Sequence, residues 1–242
     1  MKTRPILFSA PMVLALLDGR KTQTRRIINP VKVFRDLRPY TEGRFDERGN
    51  FKYRGGPRHE GLIGLSDPNI AKQYCPYIDC DSYEAPVDSL LYVKESIKRG
   101  YDGDMDQSHY AADESQTDAD AWPWKLKTLP AMFCPLGLSR ITLRVTDVRV
   151  ERLRDISEAD AKAEGLAYLS KDIGHSYKYG IPDRDGLPGG DDYGWHWADW
   201  CRDPRQAYFK LWSNIHGDET NLDVFVWVLE FDVIHANVAS VK

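Results

Sequence analysis

The segment on which the interpretation of this chain depends is Gly19-Arg20-Lys21-Thr22-Gln23-Thr24-Arg25-Arg26. It places four cations and two hydroxyls within eight residues. The apolar run before it, Pro11 to Asp18, predicts a short helix with proline in its first turn, which Gly19 ends in a left-handed conformation. The cations therefore occupy a fixed place at a helix exit, where they suit an anionic or carbonyl-bearing ligand. A basic helix cap that continues into a solvated strand explains the same spacing equally well.

The composition predicts a soluble globular protein. The chain has 242 residues, of which 42% are apolar, enough for one elaborated domain over residues 1–242. A net charge of -4 disfavours non-specific coating of duplex nucleic acid, which needs a broad cationic face, but it permits a local cationic pocket. We find no signal-peptide cleavage site, and no run approaches the roughly 18 apolar residues of a membrane span. We therefore expect a cytoplasmic location and no membrane partner.

The four cysteines predict free thiols. Cys75, Cys80, Cys134 and Cys201 lack the paired short spacings of structural zinc sites. A composite zinc site that combines Cys75 and Cys80 with another cysteine or a histidine is the less favoured alternative. We predict no metal and no cofactor.

Several segments predict regular structure. An alternating segment from Ser139 to Val150 predicts a half-buried antiparallel strand, and Ser89 to Glu95 predicts another strand. Residues 156–165 predict a two-turn helix with Ser157 as its N-cap, Gly165 at its end and Glu164 in its last turn. A second helix is expected to begin at Asp203-Pro204 and to stop by Gly217, before an apolar strand over residues 224–231.

Three stretches predict insertions, at about 29–86, 100–130 and 166–200. Residues 101–120 hold seven acidic residues and no lysine or arginine, which favours a solvated loop over an anion-mimicking flap. The third insertion is rich in glycine, aspartate and aromatic residues and predicts a long loop or lid. Its aromatic rings suit either stacking on a flat ligand or covering the core.

The pattern resembles the ASCH family of the PUA-like superfamily, most closely the larger members carried by bacteriophages and prophages. The family motif Gly-x-Lys-x-x-x-x-Arg is matched by Gly19, Lys21 and Arg26. The similarity covers roughly half of the chain and leaves out the three insertions. It implies an α+β fold built on a PUA-like small β-barrel with flanking helices, and a cleft lined by the Gly-x-Lys segment.

The resemblance also implies a chemistry. Bacterial acetylcytidine amidohydrolases within this family use a lysine, a threonine and a glutamate, which fall on Lys21, Thr24 and Glu164. In that role Thr24 attacks the amide carbonyl, Lys21 takes its proton and Glu164 passes a proton to the leaving amine. A lysine base needs a lowered pKa, which burial and neighbouring arginines would supply. Residues expected to contact substrate or nucleic acid are Arg20, Thr22, Arg25, Arg26, Tyr92, Lys94, Glu95 and Arg140.

One geometric condition accompanies this prediction. Residues three apart in an extended strand face opposite sides, so Lys21 and Thr24 converge only if the chain turns just after Gly19. Thr22 shares a face with Thr24 and is therefore a competing nucleophile or a supporting hydrogen-bond partner.

Other functions fit the same residues. A non-catalytic reader of RNA or of a modified base would use Arg25, Arg26, Arg140 and Arg144. A ribonuclease would clamp a scissile phosphate with Lys21 and Arg26. A phage protein would bind a host partner through its acidic segment at 101–120. The sequence does not predict an oligomeric state.

Overall fold

The computed structural model describes residues 3–29, 42–54, 60–77, 89–100, 107–117, 122, 124–171, 176–217 and 221–241. These residues form α-helices and β-strands that we number in chain order. They are β1 (Thr3–Leu7), α1 (Ala10–Leu17), β2 (Gln23–Ile27), β3 (Glu42–Phe45), β4 (Phe51–Arg54), β5 (Glu60–Ile63), α2 (Pro68–Tyr74), β6 (Ser89–Lys94), β7 (Ile97–Arg99), β8 (Ser108–Tyr110), β9 (Thr128–Leu129), β10 (Thr142–Arg152), α3 (Glu158–Ala163), β11 (Ala167–Lys171), β12 (Ser176–Gly180), α4 (Pro204–His216) and β13 (Phe225–Ile234).

The central element is a five-stranded sheet with the order β1-β6-β10-β13-β2. β1 pairs parallel with β6, and the remaining neighbours are antiparallel. The alternation predicted for the middle strand holds at its start, where Leu143 and Val145 are buried and Arg144 is exposed. A register shift between Val145 and Asp147 then changes which residues of β10 face the core. The α+β class predicted from the sequence is confirmed.

This sheet is strongly curved. Its edge strands are β1 and β2, which would lie about 19 Å apart if five strands at the usual spacing formed a flat sheet. Arg26 of β2 nevertheless donates a hydrogen bond from Nη2 to the carbonyl oxygen of Leu7 in β1, at 2.8 Å. A single side chain therefore spans the gap between the two edges. Within the described part of the chain these edges share no backbone ladder, and no closed barrel is found there.

The helix ends follow the predicted local signals. α1 carries proline in its first turn, and Gly19 follows with φ +70°. In α3 the Ser157 side chain accepts a hydrogen bond from the Asp160 amide, as an N-cap does. α4 begins after the N-cap Asp203 and ends at Gly217. Among the described helices, none combines the length and the apolar composition that crossing a membrane requires.

The first insertion contains ordered structure that the sequence analysis did not specify. β3, β4 and β5 form a three-stranded antiparallel sheet, and α2 follows it. Phe51 and Ile63 of this sheet enter the main core, where Phe45 contacts the ring of Phe225 with a 5.1 Å centroid separation. The insertion therefore packs on the central sheet.

The acidic segment is partly ion-paired. Asp113 accepts a hydrogen bond from Arg140 at 2.8 Å, and Glu114 pairs with Arg184 of the third insertion at 2.7 Å. Glu114 remains largely exposed, as expected of a solvated loop, whereas the Asp113 side chain is only 27% exposed. The other five acidic residues of the segment, Asp102, Asp104, Asp106, Asp118 and Asp120, lie outside the described residues.

The third insertion begins with a hairpin, β11 and β12, and continues as a loop organised around one carboxylate. Asp183 is buried and accepts hydrogen bonds from four successive backbone amides, those of residues 191–194. Within the same loop Trp200 is buried, and its indole nitrogen donates to the carbonyl oxygen of Trp195. Of the two predicted roles for these rings, covering the core is the one that Trp195 fulfils.

Candidate active site

Lys21 and Glu164, which are 143 positions apart in the chain, meet in a buried ion pair. Lys21 donates from Nζ to Glu164 Oε2 at 2.8 Å and to the Glu164 carbonyl oxygen at 2.7 Å. The two residues retain 2% and 3% of their exposure. The structure thus brings together two of the three side chains for which the resemblance implies catalysis.

Backbone contacts hold this pair in place. Lys21 and Glu164 form a bridge of the antiparallel type. The Lys21 amide donates to the Ala15 carbonyl oxygen and the Thr22 amide to that of Ala163, each at 2.9 Å. Gly165 permits this approach, since a Cβ there would lie 2.8 Å from the Cβ of Ala15. The segment after α1 and the end of α3 are therefore packed at backbone contact.

Arg25 holds the other oxygen of Glu164. Its Nη1 donates to Glu164 Oε1 at 3.0 Å and to the side chain of Gln23 at 3.4 Å. Its Nη2 donates to Glu151 at 3.0 Å and to Asp160 at 3.2 Å. The Arg25 side chain is fully buried. Arg25 was expected to contact a ligand. In the structure its guanidinium instead orients the Glu164 carboxylate.

The acceptors Glu151 and Asp160 of this network were not predicted from the sequence. Gln23 and Arg25 share one face of β2, and Arg149 and Glu151 share one face of β10. Arg149 donates to Asp160 at 3.2 Å, which joins β10 to α3. The sequence signal for this network was the recurrence of polar residues at every second position of both strands, which indicates a polar layer on one face of the sheet.

Burial lowers the pKa of Lys21 from its ordinary value. Desolvation is the largest cause, the positive charges of Arg26 and Arg25 act in the same direction, and Glu164 opposes them. Arg20, one of the neighbouring arginines, was also expected to lower the pKa of Lys21. In the structure Arg20 contacts Asp18 at 2.8 Å and the Gly165 carbonyl oxygen at 2.6 Å.

Thr24 lies on β2 opposite Leu229 and is buried. By strand alternation its side chain shares a face with Arg26 and lies opposite the face of Gln23 and Arg25. Within the described structure no hydrogen bond joins its hydroxyl to Lys21 or Glu164. Thr22, the competing hydroxyl, is exposed. The threonine is therefore adjacent to the ion pair in the chain but is not bonded to it.

Phe8 connects the two faces of this site. Its ring centroid lies 5.6 Å from Lys21 Nζ and 5.1 Å from the Arg26 guanidinium carbon. On the other side, the ring of Tyr208 lies 5.9 Å from the Arg25 guanidinium carbon. Burial and then the charge of Glu164 raise the pKa of Tyr208 well above its ordinary value. Neither aromatic residue was predicted to belong to the site.

The remaining predicted contact residues form a second cluster. Arg140 binds Glu95 through two hydrogen bonds of 2.8 and 2.9 Å and stacks on Tyr110 at 3.9 Å. Lys94 donates to the Met132 carbonyl oxygen, and Tyr92 is half-buried. In the part of the chain that the structure describes, no hydrogen bond or ion pair joins this cluster to Lys21 or Glu164.

The described residues offer no metal site. They contain no group of three or more histidine, cysteine or carboxylate side chains arranged for a metal ion. None of Cys75, Cys134 and Cys201 forms a disulfide with another described residue, and Cys80 lies outside the described residues.

No family model, curated protein or solved structure matches this chain. The functional assignment therefore depends on the chemistry of the Lys21–Glu164 site and on the motif around it. That site offers a buried amine with a lowered pKa and a fixed carboxylate, and a threonine hydroxyl follows three residues after the lysine in the chain.

Proposed function

We propose that this chain is an ASCH-type, PUA-like protein that hydrolyses the acyl amide of an N-acylated cytidine. The observation that carries the proposal is the buried contact of 2.8 Å between Lys21 Nζ and Glu164 Oε2. Because desolvation offsets most of the attraction in such a pair, burial of the pair is poorly explained by stability alone. A lysine and a carboxylate held in this way are suited to proton transfer.

The architecture supports the PUA-like part of the proposal. The five-stranded sheet curves until Arg26 reaches across from one edge to the other. α1 and the Gly-x-Lys segment lie between the two edge strands in the chain. A curved sheet whose two edges are joined by a side chain of the family motif supports a PUA-like interpretation.

The proposed reaction proceeds in two stages. In its neutral form, which the lowered pKa favours, Lys21 accepts the proton of the Thr24 hydroxyl as Thr24 Oγ1 bonds to the acyl carbonyl carbon. Glu164 relays that proton to the cytidine amine, and the carbon–nitrogen bond breaks to release cytidine. Water, deprotonated by Lys21, then cleaves the acyl-threonine ester to give the carboxylic acid and restore Thr24. The lowered pKa of Lys21 supports its role as the base.

Since Thr24 faces away from Gln23 and Arg25, its role needs a separate test. Thr24→Ser keeps a hydroxyl and should retain turnover, whereas Thr24→Ala should abolish it. Full activity of Thr24→Ala would assign the attack to a water molecule activated by Lys21 and Glu164.

The activity itself is tested by incubating the protein with N4-acetylcytidine and separating cytidine by chromatography. Lys21→Ala and Glu164→Gln should each lower kcat by about 100-fold or more. Lys98→Ala removes an exposed cation of β7 and should leave turnover unchanged. Absence of cytidine release by folded wild-type protein contradicts the proposal.

A second candidate, binding of a modified base without cleavage, is favoured by one observation. Arg26 is half-buried, with its guanidinium against the Phe8 ring beside Lys21. Calorimetric binding of acetylcytidine without turnover would select this function. The host-partner hypothesis has less support, because Asp113 and Glu114 of the acidic segment are paired within the protein.

A further inference from the structure

One face of the β11–β12 hairpin carries three tyrosines that contact one another. Tyr168 stands directly opposite Tyr179, and Tyr177 lies on the same face. Their ring centroids are separated by 5.4 Å for Tyr168–Tyr179, 5.8 Å for Tyr168–Tyr177 and 6.3 Å for Tyr177–Tyr179. We call these three side chains the tyrosine face.

This face is exposed although its residues are large and aromatic. Tyr168 and Tyr177 keep 54% and 43% of their exposure. Contiguous exposed aromatic surface is unusual unless it serves binding. These two rings contribute little to the core, because they are exposed and contact one another.

Strand β12 is anchored along its outer edge and on the face opposite the tyrosines. Tyr179 and Cys201 exchange two backbone hydrogen bonds, and Lys178 donates to the Trp197 carbonyl oxygen at 2.9 Å. Gly180 lies against the Trp200 ring, where a Cβ would be 2.4 Å from the nearest atom. The tyrosines of the hairpin therefore belong to a fixed platform, which lowers the entropic cost of ligand binding.

A cation completes the platform. Lys162 of α3 is exposed, and its Nζ lies 5.2 Å from the Tyr179 ring centroid. Among the described residues no carboxylate pairs with Lys162. The hairpin also begins three residues after Glu164, so the platform is continuous in the chain with the candidate active site.

We infer that the tyrosine face binds single-stranded nucleic acid, with bases stacked on Tyr168 and Tyr177 and a phosphate beside Lys162. Aromatic rings bind unpaired bases by stacking, and the Lys162 ammonium beside the Tyr179 ring suits the backbone charge. A protein partner would use the tyrosines, whereas the Lys162 ammonium favours an anionic ligand. The inference does not depend on amide cleavage.

The test measures fluorescence anisotropy of labelled oligocytidine RNA and DNA of about twelve nucleotides, which lies within the range of site sizes known for single-strand-binding folds. Tyr168→Ala with Tyr177→Ala should weaken binding about tenfold or more, whereas the matched double change to Phe should preserve it. Phe133→Ala removes an exposed ring elsewhere and is the control. Lys162→Gln should reduce the magnitude of the slope of log affinity against log salt by about 0.7.

The possible outcomes separate cleanly. Binding of either strand type that is lost in the alanine variant supports the inference, and tighter RNA binding adds a contact to the ribose hydroxyl. Wild-type protein that fails to bind, or an alanine variant that binds equally well, overturns it. A change of oligomeric state in the alanine variant without nucleic-acid binding would instead assign the face to self-association.

Discussion

Lys21 binds both the side chain and the main chain of Glu164, at 2.8 Å from Nζ to Oε2 and 2.7 Å to the carbonyl oxygen. One ammonium therefore fixes the orientation of the carboxylate and the position of the end of α3. The Gly-x-Lys segment therefore holds the end of α3 in place and is also a candidate catalytic element. Tests that remove the lysine must consequently separate lost folding from lost chemistry.

We predict that Lys21→Met destabilises the protein by about 3 kcal/mol, because it leaves Glu164 buried with one partner fewer. The double change Lys21→Met with Glu164→Leu should recover part of that loss, since Arg25 keeps Glu151 and Asp160 as acceptors. Urea unfolding of the three proteins measures both effects. A double variant less stable than Lys21→Met would show that the pair does not behave as a buried charge pair.

Arg25→Lys should destabilise the protein by about 2 kcal/mol, because one ammonium cannot reach the acceptors that Nη1 and Nη2 bind separately. The matched control is Arg149→Lys. Arg149 also pairs with Glu151 and Asp160, but 24% of its side chain is exposed, and its replacement should change stability by less than about 1 kcal/mol. Equal losses measured by chemical denaturation would mean that burial does not set the strength of this network.

Local signals predicted the helix ends because their causes are local. Gly19 tolerates a left-handed conformation, and Ser157 offers an oxygen to an amide three residues later. The strand around Leu143 and Val145 was equally evident from alternation. The meeting of Lys21 with Glu164 was expected only through the family resemblance, since no spacing rule joins residues so far apart.

Long-range packing accounts for what the sequence did not indicate. Arg25 looks like an exposed cation in the sequence, and it is buried because Glu151, Asp160 and Glu164 arrive from a distant part of the chain. The sheet of β3, β4 and β5 was missed because its strands have only four residues each, and β3 and β5 contain glycine. Phe51 belongs to the main core, which its short strand alone does not indicate.

Asp183→Ala should loosen the loop that contains residues 184–200. The substitution leaves the four amides of residues 191–194 without their protein acceptor, and each lost partner costs up to about 1–3 kcal/mol where the amide is desolvated. Limited proteolysis should cut this loop faster than in the wild type. Asp183→Asn keeps one acceptor oxygen and should give an intermediate rate, and unchanged cleavage of both variants would contradict this account.

Gly165→Ala should cost more stability than Gly19→Ala. Both glycines have positive φ, which costs a non-glycine residue about 1–2 kcal/mol. An alanine Cβ at position 165 would in addition lie 2.8 Å from the Cβ of Ala15, while nothing lies within 4 Å at position 19. The difference in urea midpoint between the two variants measures the contact, and equal midpoints would show that α1 and α3 are free to separate.

The stability of the protein should depend on pH through Lys21. Burial lowers the pKa of Lys21 in the folded state below that of the unfolded chain, about 10.4. Between these two pKa values the unfolded chain binds the proton and the folded protein does not, so the free energy of unfolding rises with pH. Below the folded pKa both states are protonated and this contribution is constant.

Unfolding measurements from about pH 7 to about pH 10, compared with Lys21→Met, isolate this contribution. The wild type should gain stability relative to Lys21→Met as the pH rises towards the unfolded pKa. Lys98→Met, a change at an exposed position, should keep the wild-type slope. Parallel profiles for the wild type and Lys21→Met would mean that Lys21 stays protonated throughout, which would also remove it as a neutral base at physiological pH.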